Sequence, residues 1–417
     1  MIMSTPKNQQ WFQLLLLILS GEAVFAIPFV LPRVFRPTVL EAFELDNTEL
    51  GLCFTAYGIT AMASYFFGGP LADRFAPRKL IAIALWLTSI GGFVYAFFPG
   101  FLVLQGLYAF WGFTTIFLFW APMIKATRIW GGKWAQGRAY GFLDGGRGLA
   151  GALLGSLGVW LFAFFISEGA TSFEDKQEAF RAVILVTTLI VALTGAMVWL
   201  FLKSDTDEDR VATSIRIREI KEAIRLPAVW MLMLIILCAY VGYKVTDVIS
   251  LYAQEVMLFD EVGAAQIGSH FLYARFIVGI GIGVIADRSN IVSWLLIGFV
   301  LTTVGSIFFA LGVASSALWL FYLSVTIVAT GVYATRALYF AVMRSGQVPL
   351  VLTGTVVGLA SLVGFTPDVF AGVLIGVLLD AKPGEAGHQD VFWVLVVFSL
   401  IGGLVATRYY LKFGRNQ

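Results

Sequence analysis

Residues 141–151 read GFLDGGRGLAG, which sets an acid, Asp144, and a base, Arg147, one helical turn apart in an otherwise apolar run. Ionisable side chains recur in such runs: Glu22, Lys244, Asp247, Arg275, Arg336 and Asp368. A charge in hydrocarbon costs at least about 2.5–3.5 kcal/mol, so it persists only against an opposite charge or a wet cavity. The bases suit oxyanions, because guanidinium and ammonium groups match carboxylate, sulfonate and phosphate oxygens. The acids suit steering of those bases, or proton carriage. Asp144 and Arg147 share a helix face, as do Lys244 and Asp247. Each couple reads either as a self-satisfied ion pair that holds neighbouring helices or as a tuned anion site. Glu22, Arg275 and Arg336 have no opposite charge within four residues. Glu22 is the expected partner of Arg275, as a permanent bridge or as a proton carrier released when substrate takes the arginine. Arg336 is expected to meet the substrate's anionic group. Asp368 follows Pro367 and reads as a cap on a proline-broken helix or as a gate. Tyr243 and Tyr273, with Tyr57, Trp111, Trp120 and Tyr339, are candidates for the cavity wall, though each also suits plain packing.

These side chains need elements that cross a bilayer. The 417 residues are 59% hydrophobic and 13% charged, against about 45–50% and about 25% in soluble domains. A crossing helix takes about 20 mostly apolar residues. Twelve such spans are expected: 11–32, 49–71, 80–98, 101–124, 138–166, 180–202, 229–251, 265–286, 291–312, 318–342, 349–379 and 390–410. The stretch AVFA at 23–26 loosely resembles a signal-peptide cleavage site, but the apolar run from Trp11 is long enough to span. Gly141, Gly145, Gly151 and Gly155, like Gly279, Gly281 and Gly283, are expected where helices approach closely. Cys53 and Cys238 lie in apolar runs and read as inert. His270 and His388 are too few and too far apart for a metal cluster, so no metal is expected.

The most charged stretch, 203–228, divides the chain into six spans plus six. The expected organisation is a bundle over 1–202, a cytoplasmic linker over 203–228 and a bundle over 229–417. Ile217, Ile220 and Ile224 recur at helical spacing in the linker, which reads as a surface-lying amphipathic helix or a solvated connection. With both termini inside, Arg33, Arg36, Lys176, Arg181 and Lys382 fall outside, four bases fall within spans and the rest of the 28 lie on the inner side. That bias predicts cytoplasmic termini. The two parts also echo each other: Gly69-Pro-Leu-Ala-Asp73-Arg74 follows span 2, and Gly283-Val-Ile-Ala-Asp287-Arg288 follows span 8. Such repeats suggest two bundles rocking about a central site.

The residues GGPLADRFAPRK at 68–79, with twelve spans and a weaker copy six spans later, resemble the major facilitator superfamily over the full chain. Gly69, Asp73, Arg74, Arg78 and Lys79 match its motif between helices 2 and 3, with the later glycine displaced by Ala76-Pro77. The resemblance implies two pseudo-repeat bundles of six helices. It implies a conformational clamp at the motif and its copy, Asp287 and Arg288, with Asp368 a further gating candidate. It also implies a cavity lined by helices 1, 4, 7 and 10, flanked by 2, 5, 8 and 11. None of the buried charges lies in the four helices that the superfamily turns toward lipid. DGGRG at 144–148 and GFTPDVFAG at 364–372 resemble a bacterial branch of YihN-type transporters. DVISLYAQE at 247–255 is more distantly similar to the organophosphate:phosphate antiporters, although Lys244 stands where that branch has a shifted arginine.

The function expected is secondary active transport of a small organic anion across the inner membrane. Substrate binding is expected at Arg147, Lys244, Arg275, Arg336, Tyr243 and Tyr273, and proton coupling at Glu22, Asp144 and Asp247. A proton gradient or a counter-anion, not a cofactor, would drive it, and the protein is expected to work as a monomer in the bilayer. No nucleotide-binding signature appears. A net charge of +2 without basic clusters argues against nucleic acid. No nucleophile, base and oxyanion site assemble, which argues against an enzyme. Proton-driven efflux of amphipathic cations and a non-transporting sensor of the same fold are the alternatives.

Overall fold

The computed structural model of the protein describes residues 7–131, 136–166, 172–203, 217–287, 289–343, 345–348 and 353–414, and among them there is no β-strand. Lipid offers backbone groups no partner, so a spanning chain must satisfy them within each helix. Eleven described stretches are long and apolar enough to cross a bilayer, and a 28-residue helix lies between the first two. In chain order the first six are α1 (Gln10–Val34), α2 (Asn47–Arg74), α3 (Pro77–Tyr95), α4 (Phe101–Thr127), α5 (Gln136–Phe165) and α6 (Phe173–Phe201). The second six are α7 (Pro227–Glu255), α8 (Glu261–Asp287), α9 (Ile291–Ala310), α10 (Leu318–Leu338), α11 (Val356–Ala381) and α12 (Glu385–Gly414).

Local signals place the helix starts. Asp46 and Glu49 form a reciprocal capping box on α2, and Ser172 caps α6. Proline opens α3, α7 and the second part of α11, where a missing N–H costs nothing. Three helices change winding near mid-length. Ala26–Val30 of α1 and Phe113–Trp120 of α4 wind as π-helix, and Thr246–Val248 of α7 tightens to a 3₁₀ turn. A short helix, Ile217–Ile224, forms in the linker, and Ala223 packs with Ala228 and Val229 at the start of α7. The linker residues before it lie outside the described residues.

An even number of crossings puts both chain ends on one side, here called the terminal end. The largest apolar core joins α1 to α6, with Ala265 and Leu272 added from α8. The first and last six helices meet along two seams, α2 with α11 and α5 with α8. The seams are tight toward the far end. A Cβ on Gly58 would lie 2.5 Å from the carbonyl oxygen of Asp368, and one on Gly155 would lie 3.3 Å from Ser269 Oγ. Gly51 and Gly372 likewise meet backbone to backbone, as do Gly376 and Asn47. Asp380 of α11 accepts from the backbone N–H of Asn47 (3.1 Å) and Thr48 (2.7 Å) at the start of α2. Arg36 donates to Asn47 at 2.9 Å, and Lys176 pairs with Glu261 at 2.7 Å.

Toward the terminal end the seams part. Among the described residues, a Cβ on Gly279, Gly281, Gly283 or Gly358 would meet nothing within 4 Å. The expectation that Gly279, Gly281 and Gly283 mark close helix packing is therefore corrected. They lie on a side of α8 that meets no described neighbour, although Ile280 between them reaches Gly145 of α5. Gly145, Gly151 and Gly155 do sit against neighbours. The surroundings of Gly141 lie outside the described residues.

Candidate functional site

A layer of charged side chains lies between the two sets of helices. Its first group is a chain of alternating charge: Arg147, Glu22, Arg275, Asp144. Glu22 of α1 is buried and lies 3.3 Å from Arg147 Nε and 3.2 Å from Arg275 Nη1. The Arg275 contact is a hydrogen bond; the Arg147 contact is an ion pair without hydrogen-bond alignment, which leaves Arg147 Nε and Glu22 Oε2 without one. Arg275 Nη2 continues to Asp144 Oδ1 at 3.3 Å, and the Asp144 side chain is 48% exposed. A half-exposed acid in a membrane helix persists only beside an opposite charge or water, and Arg275 supplies the charge here.

Glycines make room for these charges. A Cβ on Gly151 would come within 2.7 Å of Glu22 Oε1, one on Gly148 within 3.3 Å of Arg275 Cγ, and one on Gly21 within 3.0 Å of Arg147 Cδ. Gly148 and Gly151 of the run DGGRGLAG, with Gly21 of α1, thus let three long side chains cross between helices. The expected i, i+3 pair of Asp144 with Arg147 does not form. Each reaches across to another helix instead, because Glu22 and Arg275 have no charge partner on their own helices.

The second group centres on α7. Arg33 Nε meets Asp247 Oδ1 at 2.6 Å, and Arg33 Nη1 donates to Tyr243 Oη at 2.8 Å. The Ser250 hydroxyl donates to the Arg33 carbonyl at 2.8 Å. Lys244 lies 3.3 Å from Asp368 and 3.8 Å from Asp247, with the rings of Phe29 and Phe54 about its ammonium. The Lys244–Asp247 couple is thus the looser contact for both partners. Asp368 also accepts from Tyr240 Oη at 3.0 Å. No side chain caps the second part of α11, so the reading of Asp368 as a helix cap is corrected: its carboxylate reaches across to α7.

Arg336 closes the layer from α10. Its guanidinium lies 3.8 Å from the centroid of Tyr243 and 5.8 Å from that of Tyr240. Its Nε and Nη1 are buried and have no hydrogen-bond partner, and among the described residues it enters no ion pair. The other four bases of the layer are each held by a carboxylate.

Arg33 corrects the sequence reading, which placed it in an outer loop with Arg36. Both are buried. The chain stays helical beyond α1 through Arg36–Ala42, so Arg33 remains inside the protein. It lies about 16 Å beyond Glu22, at about 1.5 Å per residue. Tyr240 and the Asp380–Asn47 contact were also missed. The signal for Tyr240 was its spacing, one turn before Lys244 on the same face. Tyr273 is apart from the charges: its hydroxyl lies 3.1 Å from Ser156 Oγ and ties α8 to α5. Tyr57 bonds Thr115, Trp111 donates to Thr88, and Tyr339 is buried, while Trp120 lies 5.8 Å from the Arg147 guanidinium.

Residues 14–372 match the sequence profile of the Major Facilitator Superfamily. The chain belongs to this superfamily. It is an alternating-access transporter by family and fold, with the all-α, twelve-helix architecture expected from its sequence. Inner membrane protein YqcE of Escherichia coli K12 is 26% identical over 99% of this chain and 96% of its own. Inner membrane protein YihN of the same organism is 22% identical over 98% and 97%. Among solved structures, a bacterial homologue of the human lysosomal transporter Spinster, described as inward-facing and unoccupied, superposes with a TM-score of 0.74 at 18% identity. That match covers 98% of this chain and 99% of the other. The superfamily motif falls at the terminal ends of α2 and α3. Gly69, Asp73 and Arg74 lie in α2 and Asp287 ends α8, but their side chains lie outside the described residues, as does all of Arg288. Arg78 is half-buried with an unpartnered Nε, and Lys79 is exposed.

Proposed function

We propose that this superfamily member moves a small organic anion across the inner membrane, with Arg336 as the group that first meets the anion. One observation carries the reading: among the described residues Arg336 is the cation of the layer that enters no ion pair, and its Nε and Nη1 are buried without a hydrogen-bond partner. A buried unpaired guanidinium is costly, and an incoming oxyanion supplies both the charge and the acceptors that it lacks. The names of the two relatives, both inner membrane proteins, support the compartment. If the terminal end is cytoplasmic, as the Lys and Arg bias predicts, the molecule here is closed to the outside and open within.

Protons drive the cycle in this reading. Glu22 is held by Arg147 and Arg275 together. Substrate that engages either arginine loosens that hold and lets Glu22 take up a proton, which links binding to protonation. Purified protein screened for thermal stabilisation against carboxylates, sulfonates, uronates and sugar phosphates tests the substrate class, because a ligand of the folded state raises its stability. Arg336→Ala should abolish both the stabilisation and uptake into proteoliposomes while the protein still folds. Normal uptake by that variant would defeat the reading.

A further inference from the structure

The charge count of the layer narrows the substrate, on the premise that the organic-anion reading holds. The layer holds five bases, Arg33, Arg147, Lys244, Arg275 and Arg336, and four acids, Glu22, Asp144, Asp247 and Asp368. Every acid lies within 3.3 Å of a base, so each carboxylate is compensated where it stands. Among the described residues of the layer one positive charge is left without an ion pair, on Arg336. The rings of Tyr240 and Tyr243 lie against that guanidinium, with Phe365 packed on Tyr240 at 4.8 Å. Among the described residues, no other cation of the layer lacks a carboxylate.

We propose that the site is built for a substrate whose head group carries a single negative charge, a carboxylate, a sulfonate or a sulfate ester. Phosphate esters, which carry about 1.5 to 2 negative charges at neutral pH, are selected against. A second charge on the ligand finds compensation only by drawing Arg275 or Arg147 away from Glu22 or Asp144. That leaves Glu22, which is buried, or Asp144, which is half exposed, short of its base unless it takes a proton. A dianion therefore enters only when a proton enters with it, whether on the ligand or on Glu22 or Asp144. The charge of the layer makes the distinction, and the shape of the pocket is not needed for it.

The test uses matched esters that differ in charge and little else. Ethyl, glyceryl and glucose 6-sulfates are set against the corresponding phosphates, with glucuronate added, in thermal-shift and counterflow measurements on the full-length protein. The ester that binds should prefer sulfate by at least about tenfold near pH 7.5, and the gap should close near about pH 5, where phosphate becomes singly charged. Asp144→Asn raises the layer by one charge while Arg275 keeps Glu22, so the preference should shift toward phosphate. Equal or tighter phosphate binding near pH 7.5 would overturn the monoanion proposal and leave the organic-anion reading standing, as would a folded Asp144→Asn protein whose preference is unchanged. Failure of every anion to bind or exchange would overturn the organic-anion reading, and this proposal with it.

Discussion

Arg33 and Asp247 meet at 2.6 Å, one from the first helix and one from the seventh, and both are buried. The bond joins the two sets of helices on the far side of the charged layer, and Tyr243 shares it. Because Tyr243 also carries Arg336 on its ring, the anion site and the far-end closure touch the same side chain.

Removing one partner of a buried pair costs about 3–5 kcal/mol, since the other charge is left uncompensated. Arg33→Ala leaves Asp247 only the 3.8 Å contact with Lys244. The far-end-closed state should lose its hold, and a cysteine placed at Asn47 should label faster from the far side. Unchanged labelling would mean that the Arg33 pair does not secure the closure.

Glu22→Gln should separate binding from energy coupling. The amide keeps the size of Glu22 beside Gly151 but cannot exchange a proton. Counterflow between equal pools of substrate should persist, and accumulation under an imposed pH gradient should disappear. A variant that still concentrates substrate would pass the proton role to Asp247 or Asp144. Should no acid substitution change the pH dependence, the protein exchanges anions or works as a uniporter.

Gly58→Ala tests the α2–α11 seam. The added methyl would come within 2.5 Å of the Asp368 carbonyl oxygen. Overpacking of this kind costs about 1–3 kcal/mol, which falls on the far-end-closed state alone. The conformational balance should therefore move by about fivefold or more. Gly279→Ala, where a Cβ meets nothing, is the control and should leave the balance in place. Equal effects from the two would show that the contact is not specific to one state.

Asp205→Cys and Gly384→Cys test the orientation. The first should label only from the cytoplasm and the second only from outside. Labelling of both from one side would break the six-plus-six order.

Much of the architecture was legible in the sequence, because a membrane helix must announce itself by about 20 apolar residues. The charges inside those runs were equally visible, since each stands alone against its background. Their partners were not. Spacing of i, i+3 pointed Asp144 at Arg147, but the choice between a neighbour on the same helix and one opposite depends on how close the helices come. Gly148, Gly151 and Gly21 set that distance, and small residues do not say what fills the space they leave. Arg33 was misplaced because a span was ended where its apolar run stopped, whereas the chain remained helical and buried through a further turn. Gly279, Gly281 and Gly283 misled for the opposite reason. Their spacing suits tight packing, yet which end of a seam is shut is a property of the conformational state.

The make-up of the far-end seam bears on how easily the molecule changes state. Where α2 meets α11 there, the touching groups include glycine main chain at Gly51, Gly372 and Gly376, together with Asn47, Thr48 and Asp380. Parting an apolar interface costs about 25 cal/mol for each Å² wetted. Amide, hydroxyl and carboxylate groups regain water bonds as they separate, so the net loss per bond is only about 0.5–1.5 kcal/mol. The closure is thus sealed by groups that water can replace. Hydration helps to hold the opened form, and neither state becomes a trap.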